Sequence, residues 1–217
     1  MTPLTSALVV SSKVTALAAL IIFLAGLPLG YFFARSRSKF KFVAEILVLL
    51  PLLLPPTVLA WALLNFLGPN GFLGFFGMNL LFTLPGAGLA AGIAGLPLMV
   101  LATRAAVSGV DPTLENAART LGSSEWEVFS QITLPLAKKG VSAGMLLGIG
   151  RAIGEFGATL MVAGSIPGKT RTLSLLLYEA VQLGQDQVAL SAVLILTALS
   201  ALIIGVIRLL ENGSGPK

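Results

Sequence analysis

Five long apolar segments most strongly limit how this chain can fold. They cover residues 8–34, 42–67, 85–108, 139–163 and 188–210, and each is close to the roughly 20 apolar residues that a helix needs to cross a bilayer. Only 11% of the 217 residues are charged, whereas an ordinary soluble domain carries roughly a quarter. Because a backbone in lipid must satisfy its own hydrogen bonds, the sequence predicts a single all-α membrane domain over residues 1–217, with about five transmembrane helices.

The basic residues predict the orientation of this bundle. Most of them lie in, or close to the ends of, three places: the gap between the first and second segments, the gap between the third and fourth, and the end of the fifth. These residues are Arg35, Arg37, Lys39, Lys41, Arg104, Arg119, Lys138, Lys139, Arg208 and Lys217. An odd number of spans puts all these places on one side, which the positive-inside rule makes cytoplasmic. The N-terminus is then outside, the C-terminus is cytoplasmic, and the net charge of +5 reflects topology rather than nucleic-acid binding.

The first segment and two connections complete the predicted topology. The first segment is longer than the hydrophobic part of a signal peptide and is followed by basic residues rather than a cleavage site, so we expect it to be retained. Lys13 within it is expected to snorkel toward the outer surface. The uncharged, aromatic-rich stretch Gly68–Gly86 is typical of a loop at the membrane surface. The residues before the fifth segment predict a turn and then a short amphipathic helix.

The composition also limits the chemistry of the chain. It has no Cys and no His, which excludes disulfides, thiol nucleophiles, histidine bases and the usual zinc sites. It has no GxxxxGK(S/T) phosphate-binding loop. Glu155 is the only intramembrane acid that we identify in the sequence, and Arg151, one turn earlier, accounts for it. We therefore expect no catalytic group, metal or cofactor in this chain.

A polar segment interrupts the apolar pattern between the third and fourth predicted spans. The pair Asp111–Pro112 predicts the N-cap and first turn of a helix, and Gly122 supplies the left-handed residue that ends it. Ser124, with Glu127 three residues later, forms a capping box for a second helix, which we expect to run until Pro135. The segment is thus predicted to be two short helices joined at a glycine corner.

Residues 111–135, hereafter the elbow, have two possible partners. Ala117 and Ala118 leave part of the first helix without bulk, so another protein could approach its backbone. Trp126 and Phe129 offer apolar anchors of the kind that concentrate interface energy. Alternatively, the elbow lies on lipid headgroups with Trp126 at the interface. Spacing alone leaves both interpretations open.

The pattern of the elbow resembles the signature loop of bacterial ABC importer permeases. An EAA-like triplet ends at Ala118, Gly122 follows four residues later, and nine residues separate it from an ITLP sequence. Asn116 occupies the position of the family's glutamate, and Glu115 lies one residue earlier. The family's charged contact is then either shifted along the chain or replaced by an amide hydrogen bond. The resemblance therefore implies a contact at Asn116 that is not an ion pair.

This resemblance implies that the elbow docks on a separate ATPase. In the family, the loop forms coupling helices on a cytoplasmic ATPase dimer, which would bind ATP and Mg²⁺. The coupling residues that it implies are Glu115, Asn116, Ala117, Ala118, Gly122, Trp126, Ile132, Leu134 and Pro135.

A second resemblance narrows the family. The stretch Gly148–Val181 contains GEFGAT and IPGKTRT and is similar to molybdate permeases, as are SSKV, PLLLPPTVLA and ENAARTLG elsewhere in the chain. It implies a type I ABC importer permease fold (MetI-like), an external oxyanion-binding protein, and import of molybdate or the nearly isosteric tungstate. A sulfate or thiosulfate permease is the alternative, because these share a GEFGA-type element.

The predicted number of spans indicates an oligomer. About five helices rarely enclose a pore alone, so a homodimer is the simplest completion. We see no internal repeat, which argues against secondary transporters built from inverted repeats. An ATP-independent anion transporter or channel is nevertheless a second alternative.

The fourth segment holds the candidates for the translocation path. Arg151 and Glu155 lie one turn apart and can pair, which makes intramembrane charges tolerable. With Thr159 they are candidates for the pathway or gate, and a packing role for the pair is the alternative. Glycine recurs every four residues, at Gly140, Gly144 and Gly148, and leaves one helix face without side chains, so that another helix can pack closely against it.

Candidates for an anion contact also occur on the predicted outer side. Lys169, Thr170, Arg171 and Thr172 combine cations with hydroxyl donors, which suit an oxyanion. They suit an acidic binding protein equally well, and an ordinary solvated loop is the third interpretation.

Overall fold

The computed structural model describes residues 2–212, without the side chains of residues 211 and 212, so the predicted basic residue Lys217 lies outside the described residues. The regular elements across this range are all helical. They are α1 (Pro3–Arg35), α2 (Lys41–Leu53), α3 (Pro56–Leu67), α4 (Leu84–Ser108), α5 (Pro112–Thr120), α6 (Glu125–Val128), α7 (Leu134–Ile153), α8 (Gly157–Ala163), α9 (Leu173–Gln182) and α10 (Asp186–Asn212). A 3₁₀ turn, Gly74–Phe76, and a π-helical turn, Phe129–Thr133, complete the set.

The predicted membrane character is confirmed. Within residues 2–212, four helices are long and apolar enough to cross a membrane: α1, α4, the continuous helix Glu125–Ile153, and α10. A fifth span is present if α2 and α3 together count as one. The predicted segments 8–34, 85–108 and 188–210 are therefore single helices, and the predicted short helix before the last of them is α9.

The predicted span over residues 42–67 is broken in its middle. Pro55 and Pro56 break it into α2 and α3, which are bent by 117° relative to each other. Leu54 and Pro55 adopt extended ψ angles of 145° and 140°, because a residue before proline is disfavoured in the helical region. Pro56 then begins α3, where its missing N–H costs no helical hydrogen bond.

The predicted span 139–163 is also corrected. The helix begins earlier, at Glu125, passes through the π turn into α7, and ends at Gly154 before α8 resumes. Pro135 therefore lies in the first turn of α7 and does not end the second elbow helix. The wider π turn accommodates it, because the N–H of Leu134 bonds to the carbonyl of Phe129 five residues back.

Helix α4 is the centre of the bundle, between α1 and α7. A Cβ added at Gly95 would collide with the backbone carbonyl of Gly148, and one added at Gly144 would lie 2.6 Å from the Cβ of Ala102. Helices α4 and α7 are thus antiparallel and in close backbone contact. The predicted bare face of the fourth segment is confirmed, and its neighbour is α4.

The two ends of the bundle hold different parts of the chain. Arg35, in the last turn of α1, contacts Glu115 in α5, so the end of α1 and the elbow share one end, hereafter the elbow end. At the opposite end, the N–H of Leu173 donates to Ser11 Oγ at 2.8 Å. Leu4 and Val188 pack in the same cluster there, so α1, α9 and α10 meet at that end.

Candidate functional site

The first half of the elbow folds as its cap residues predict. Asp111 is the N-cap of α5, and its Oδ1 accepts a hydrogen bond from the N–H of Thr113 at 2.8 Å. This bond holds the pKa of Asp111 below its ordinary value. Pro112 occupies the first turn. Helix α5 therefore starts at a position fixed by local hydrogen bonds.

The corner of the elbow is at Gly122. Its φ of +92° lies in the left-handed region, where a side chain is disfavoured. The N–H of Gly122 bonds to the carbonyl of Arg119 at 3.0 Å, and that of Ser123 to the carbonyl of Ala118 at 3.1 Å. These are the two bonds of a Schellman motif. The predicted glycine corner is confirmed.

The second half of the elbow begins at the predicted capping box. The N–H of Glu127 bonds to Ser124 Oγ at 3.3 Å, and Glu127 Oε2 accepts from the N–H of Ser124 at 2.7 Å. The bonds that this carboxylate accepts from the N–H of Ser124 and, at 2.8 Å, from its hydroxyl hold the pKa of Glu127 below its ordinary value. A lowered pKa means that the folded state favours the carboxylate, so the cap is complete above the ordinary pKa and is lost as the pH falls through the lowered one. It is intact at neutral pH.

The outer surface of the elbow is apolar at three positions: Leu114 is 49% exposed, Leu121 is 87% exposed and Trp126 is 72% exposed. Sequence reasoning identified Trp126 but missed the two leucines. Their spacing of seven residues, two helical turns, was the available signal. Exposed large apolar groups that share one surface are typical of a site that contacts another protein or a membrane surface.

The predicted coupling residues do not all share this surface. Asn116, Ala117, Gly122, Trp126 and Pro135 are exposed; Ala118, Ile132 and Leu134 are half-buried; and Glu115 is buried. Leu134 and Trp126 line an apolar groove against α1, together with Tyr31 and Phe23.

Glu115 points inward rather than toward a partner. Its side chain is 2% exposed, and Arg35 Nη2 lies 2.7 Å from its Oε1. Thr133 Oγ1 donates to the same oxygen at 2.7 Å. Arg119 Nη2 lies 3.9 Å from Oε2, but Arg119 is engaged mainly by Glu125, through bonds of 2.7 and 3.0 Å. An ATPase contact at Glu115 stays a prediction. Within this chain, the Glu115 carboxylate already has Arg35, Thr133 and Arg119 as neighbours.

The break between α2 and α3 faces the break between α7 and α8. A Cβ added at Gly157, the first residue of α8, would lie 2.9 Å from Pro56 Cβ, at the start of α3. The cleft between the breaks has a volume of about 350 Å³, and Thr57, Arg151 and Glu155 contribute polar groups to its lining. Sequence reasoning missed Pro56 and Thr57, although the Pro-Pro pair was the signal.

The predicted pairing of Arg151 with Glu155 is confirmed. Arg151 Nη1 lies 2.6 Å from Glu155 Oε2, with the two side chains 33% and 2% exposed. Glu155 Oε1 also accepts from the N–H of Ala158 at 2.9 Å. The hydroxyl of Thr159 is buried and has no hydrogen-bond partner within residues 2–212. Pathway roles for these residues stay predictions.

A second ion pair lies in the apolar part of the chain. Arg104 of α4 pairs with Glu45 of α2, so the identification of Glu155 as the only intramembrane acid is wrong. Glu45 lies within the predicted second span, one turn after Lys41. Sequence reasoning missed it because its partner, Arg104, is 59 residues away. The pair connects α2, which has no buried residue of its own, to the central helix.

The candidate anion-contact residues on the predicted outer side bond mainly to other residues of this chain. Thr170 Oγ1 accepts from the N–H of Ile166 at 3.0 Å, and Thr172 is the N-cap of α9. Arg171 pairs with Glu179 at 2.9 Å. Lys169 is the exposed member of the four. The two hydroxyls therefore stabilise the loop, and an anion or binding-protein contact here stays a prediction.

Comparison with known proteins places the chain among membrane transport proteins. It matches the family model "Binding-protein-dependent transport system inner membrane component" over residues 26–214. It is 43% identical over 185 residues to the molybdenum transport system permease protein ModB of Escherichia coli (strain K12), covering 81% of this chain and 79% of that protein. It is 37% identical over 198 residues to ModB of Mycobacterium tuberculosis, covering 89% and 75%. The resemblance to molybdate permeases is confirmed.

Solved structures with the same fold agree with this family. The MetNI methionine ABC transporter, in inward-facing conformations, has a chain that superposes with a TM-score of 0.77 at 17% identity, covering 98% of this chain and 96% of that chain. An amino acid ABC transporter gives 0.69 at 20% identity, covering 98% and 94%. At these identities the likeness concerns the fold, and the predicted MetI-like fold is confirmed. This chain therefore belongs to the inner membrane components of binding-protein-dependent transport systems, the multi-pass permeases of ABC importers.

Proposed function

We propose that this chain is the permease subunit of an ATP-driven importer for molybdate, or for the nearly isosteric tungstate. Two copies form the translocation path, a cytoplasmic ATPase dimer binds their elbows, and an external binding protein delivers the anion. The elbow end is then cytoplasmic. Arg35, Lys41 and Arg119 support this orientation, because they lie at or next to the elbow end and follow the positive-inside rule.

The exposed apolar surface of the elbow carries this proposal. Leu114, Leu121 and Trp126 remain uncovered in the single chain, and the capped corner between α5 and α6 holds the three on a defined backbone. A partner with an apolar groove could bury all three, and such buried anchors supply much of the binding energy of an interface. A separate ATPase is the partner that the family implies.

The connection between the elbow and the membrane supports a mechanical role. From Glu125 the helix continues into α7 without a break, and α7 ends at the cleft that holds Arg151. A displacement of the elbow by ATP-driven closure of the ATPase dimer would therefore move α7 directly. Because the ATPase binds the two states differently, the bundle would shift between inward-open and outward-open populations.

Docking on the ATPase predicts a large effect of one substitution. Leu121→Asp puts a charge at the most exposed apolar position of the elbow and should reduce ATPase co-purification at least tenfold, since a lost interface anchor costs about 2 kcal/mol. Leu183→Asp is the matched control: Leu183 is 70% exposed and also precedes a left-handed glycine, but it lies at the opposite end. Equal co-purification of both variants would contradict docking at the elbow.

The substrate is tested by competition. We expect cells that carry the complete transporter to take up molybdate in preference to sulfate, because the relatives named above are molybdenum permeases. The measurement is uptake of labelled molybdate with increasing sulfate, and the converse. Preference for sulfate, or equal rates, would favour the sulfate permease alternative. Uptake in proteoliposomes that contain this chain without an ATPase would favour an ATP-independent transporter.

A further inference from the structure

Glu115 is a buried carboxylate at the junction of three elements. It belongs to α5, while Arg35 belongs to the last turn of α1 and Thr133 to the π turn before α7. Both Arg35 and Thr133 donate to the same oxygen, Glu115 Oε1, at 2.7 Å. Arg35 also donates to the carbonyl of Val110 at 3.1 Å, just before the N-cap of α5. One arginine of α1 therefore contacts both the residue that precedes the N-cap of α5 and the first turn of that helix.

Burial of the Glu115 carboxylate destabilises the fold unless its charge and hydrogen-bond partners are all present. A buried ionised carboxylate is tolerated only with a paired charge and hydrogen bonds, and removal of one partner leaves the other uncompensated. The elbow has another glutamate that makes the contrast clear: Glu125 is 71% exposed and pairs with Arg119 at the surface, where an ion pair contributes little. The elbow thus contains one exposed ion pair and one buried pair that connects it to the bundle.

We propose that Glu115 is a positioning residue that fastens α5 to α1 and to the π turn, so that force applied to the elbow reaches both α1 and α7. This inference rests on the proposed function. It differs from the partner contact that the resemblance implied for Glu115. The turn at Gly122 and the exposed Arg119–Glu125 pair join α5 to the helix that continues into α7. The Glu115 contacts add a buried attachment, which also reaches α1.

The test separates docking from coupling. In the assembled transporter, Glu115→Gln should leave ATPase co-purification unchanged, because the exposed leucines and Trp126 are intact. It should lower the molybdate uptake per ATP hydrolysed by at least about tenfold, which is a typical size for the coupling between two sites. Glu125→Gln makes the same chemical change on the exposed pair and should lower this ratio much less than Glu115→Gln, because an exposed pair contributes little. An equal loss in the two variants would overturn the inference. Loss of ATPase binding in Glu115→Gln, with the elbow still in place, would overturn the inference in favour of a direct contact.

A second variant and a distance measurement guard against simple misfolding. Thr133→Val removes one hydroxyl donor with little change of shape and should lower the same ratio in the same direction. The chain has no Cys, so spin labels can be placed cleanly at Phe32 in α1 and Thr113 in α5. Glu115→Gln should broaden the distance distribution between them, and Glu125→Gln should not. An unchanged distribution with unchanged coupling would overturn the inference.

The distance measurement does not depend on the proposed function. It is made on the full-length chain in lipid nanodiscs, where the contacts of Arg35, Glu115 and Thr133 either hold α5 in place or do not. If the parent chain binds no ATPase and moves no molybdate, the proposed function fails, whatever the labels report. If the parent transports but Glu115→Gln leaves both readouts unchanged, the positioning role alone fails.

Discussion

We expect Gly122→Pro to abolish co-purification of the ATPase with this permease while leaving membrane insertion intact. Proline fixes φ near −65°, whereas Gly122 has a φ of +92° and donates its N–H to the carbonyl of Arg119. The corner cannot form with proline, so α5 and α6 lose the relative orientation that presents Leu121 and Trp126 together. A cost of about 3 kcal/mol to the docked conformation corresponds to a loss of affinity of more than 100-fold.

The chain provides a matched control at its other end. Gly184 follows α9 with a φ of +66°, its N–H bonds to the carbonyl of Val181, and the N–H of Gln185 bonds to that of Ala180. Gly184→Pro therefore applies the same local damage away from the elbow and should leave the ATPase bound. Neither glycine has a neighbour within 4 Å of an added Cβ, so backbone conformation is the difference under test.

A second substitution tests docking at the elbow without altering the glycine corner. Ala118→Trp adds bulk to the half-buried side of α5, where the EAA-like triplet leaves the backbone accessible, and it should also prevent docking. Retained co-purification in both Gly122→Pro and Ala118→Trp, with normal insertion, would show that the ATPase does not bind the elbow. The lipid-surface interpretation of the elbow would then be favoured.

The parts of this structure that the sequence predicts are those with local causes. Asp111, Gly122, Ser124 and Glu127 act within a few residues of themselves, through caps and a left-handed turn, and each is found as predicted. The apolar runs likewise predict the spans, because the bilayer sets their length. Arg151 and Glu155 pair as predicted because only four residues separate them, although Glu155 itself lies in the break between α7 and α8.

The parts that could not be predicted depend on distant partners. The position of Glu115 is set by Arg35, 80 residues away, and a helical pattern does not reveal which face of α5 meets α1. Glu45 is accounted for by Arg104 on another helix.

The charges in the cleft carry the other large expected effect. Glu155→Gln leaves Arg151 without its carboxylate partner, and Arg151→Gln leaves Glu155 buried without a cation. Breaking a buried pair costs about 3 to 5 kcal/mol. Each variant should therefore lower molybdate uptake by roughly 100-fold. These single changes alone do not separate a pathway role from packing. The measurement is uptake normalised to the amount of permease in the membrane.

The double variant Arg151→Gln with Glu155→Gln separates the two roles. It removes both charges at once, and replacement of a whole buried pair is often neutral for stability, so the membrane level should recover. If Arg151 contacts the passing oxyanion in the cleft beside Thr57, uptake stays low, because the guanidinium group is gone. The same double change at Glu45 and Arg104 is the control and should keep uptake within about tenfold of the parent. Full recovery of uptake in the cleft variant would assign the pair to helix packing, and the pathway would have to be sought elsewhere between the two copies.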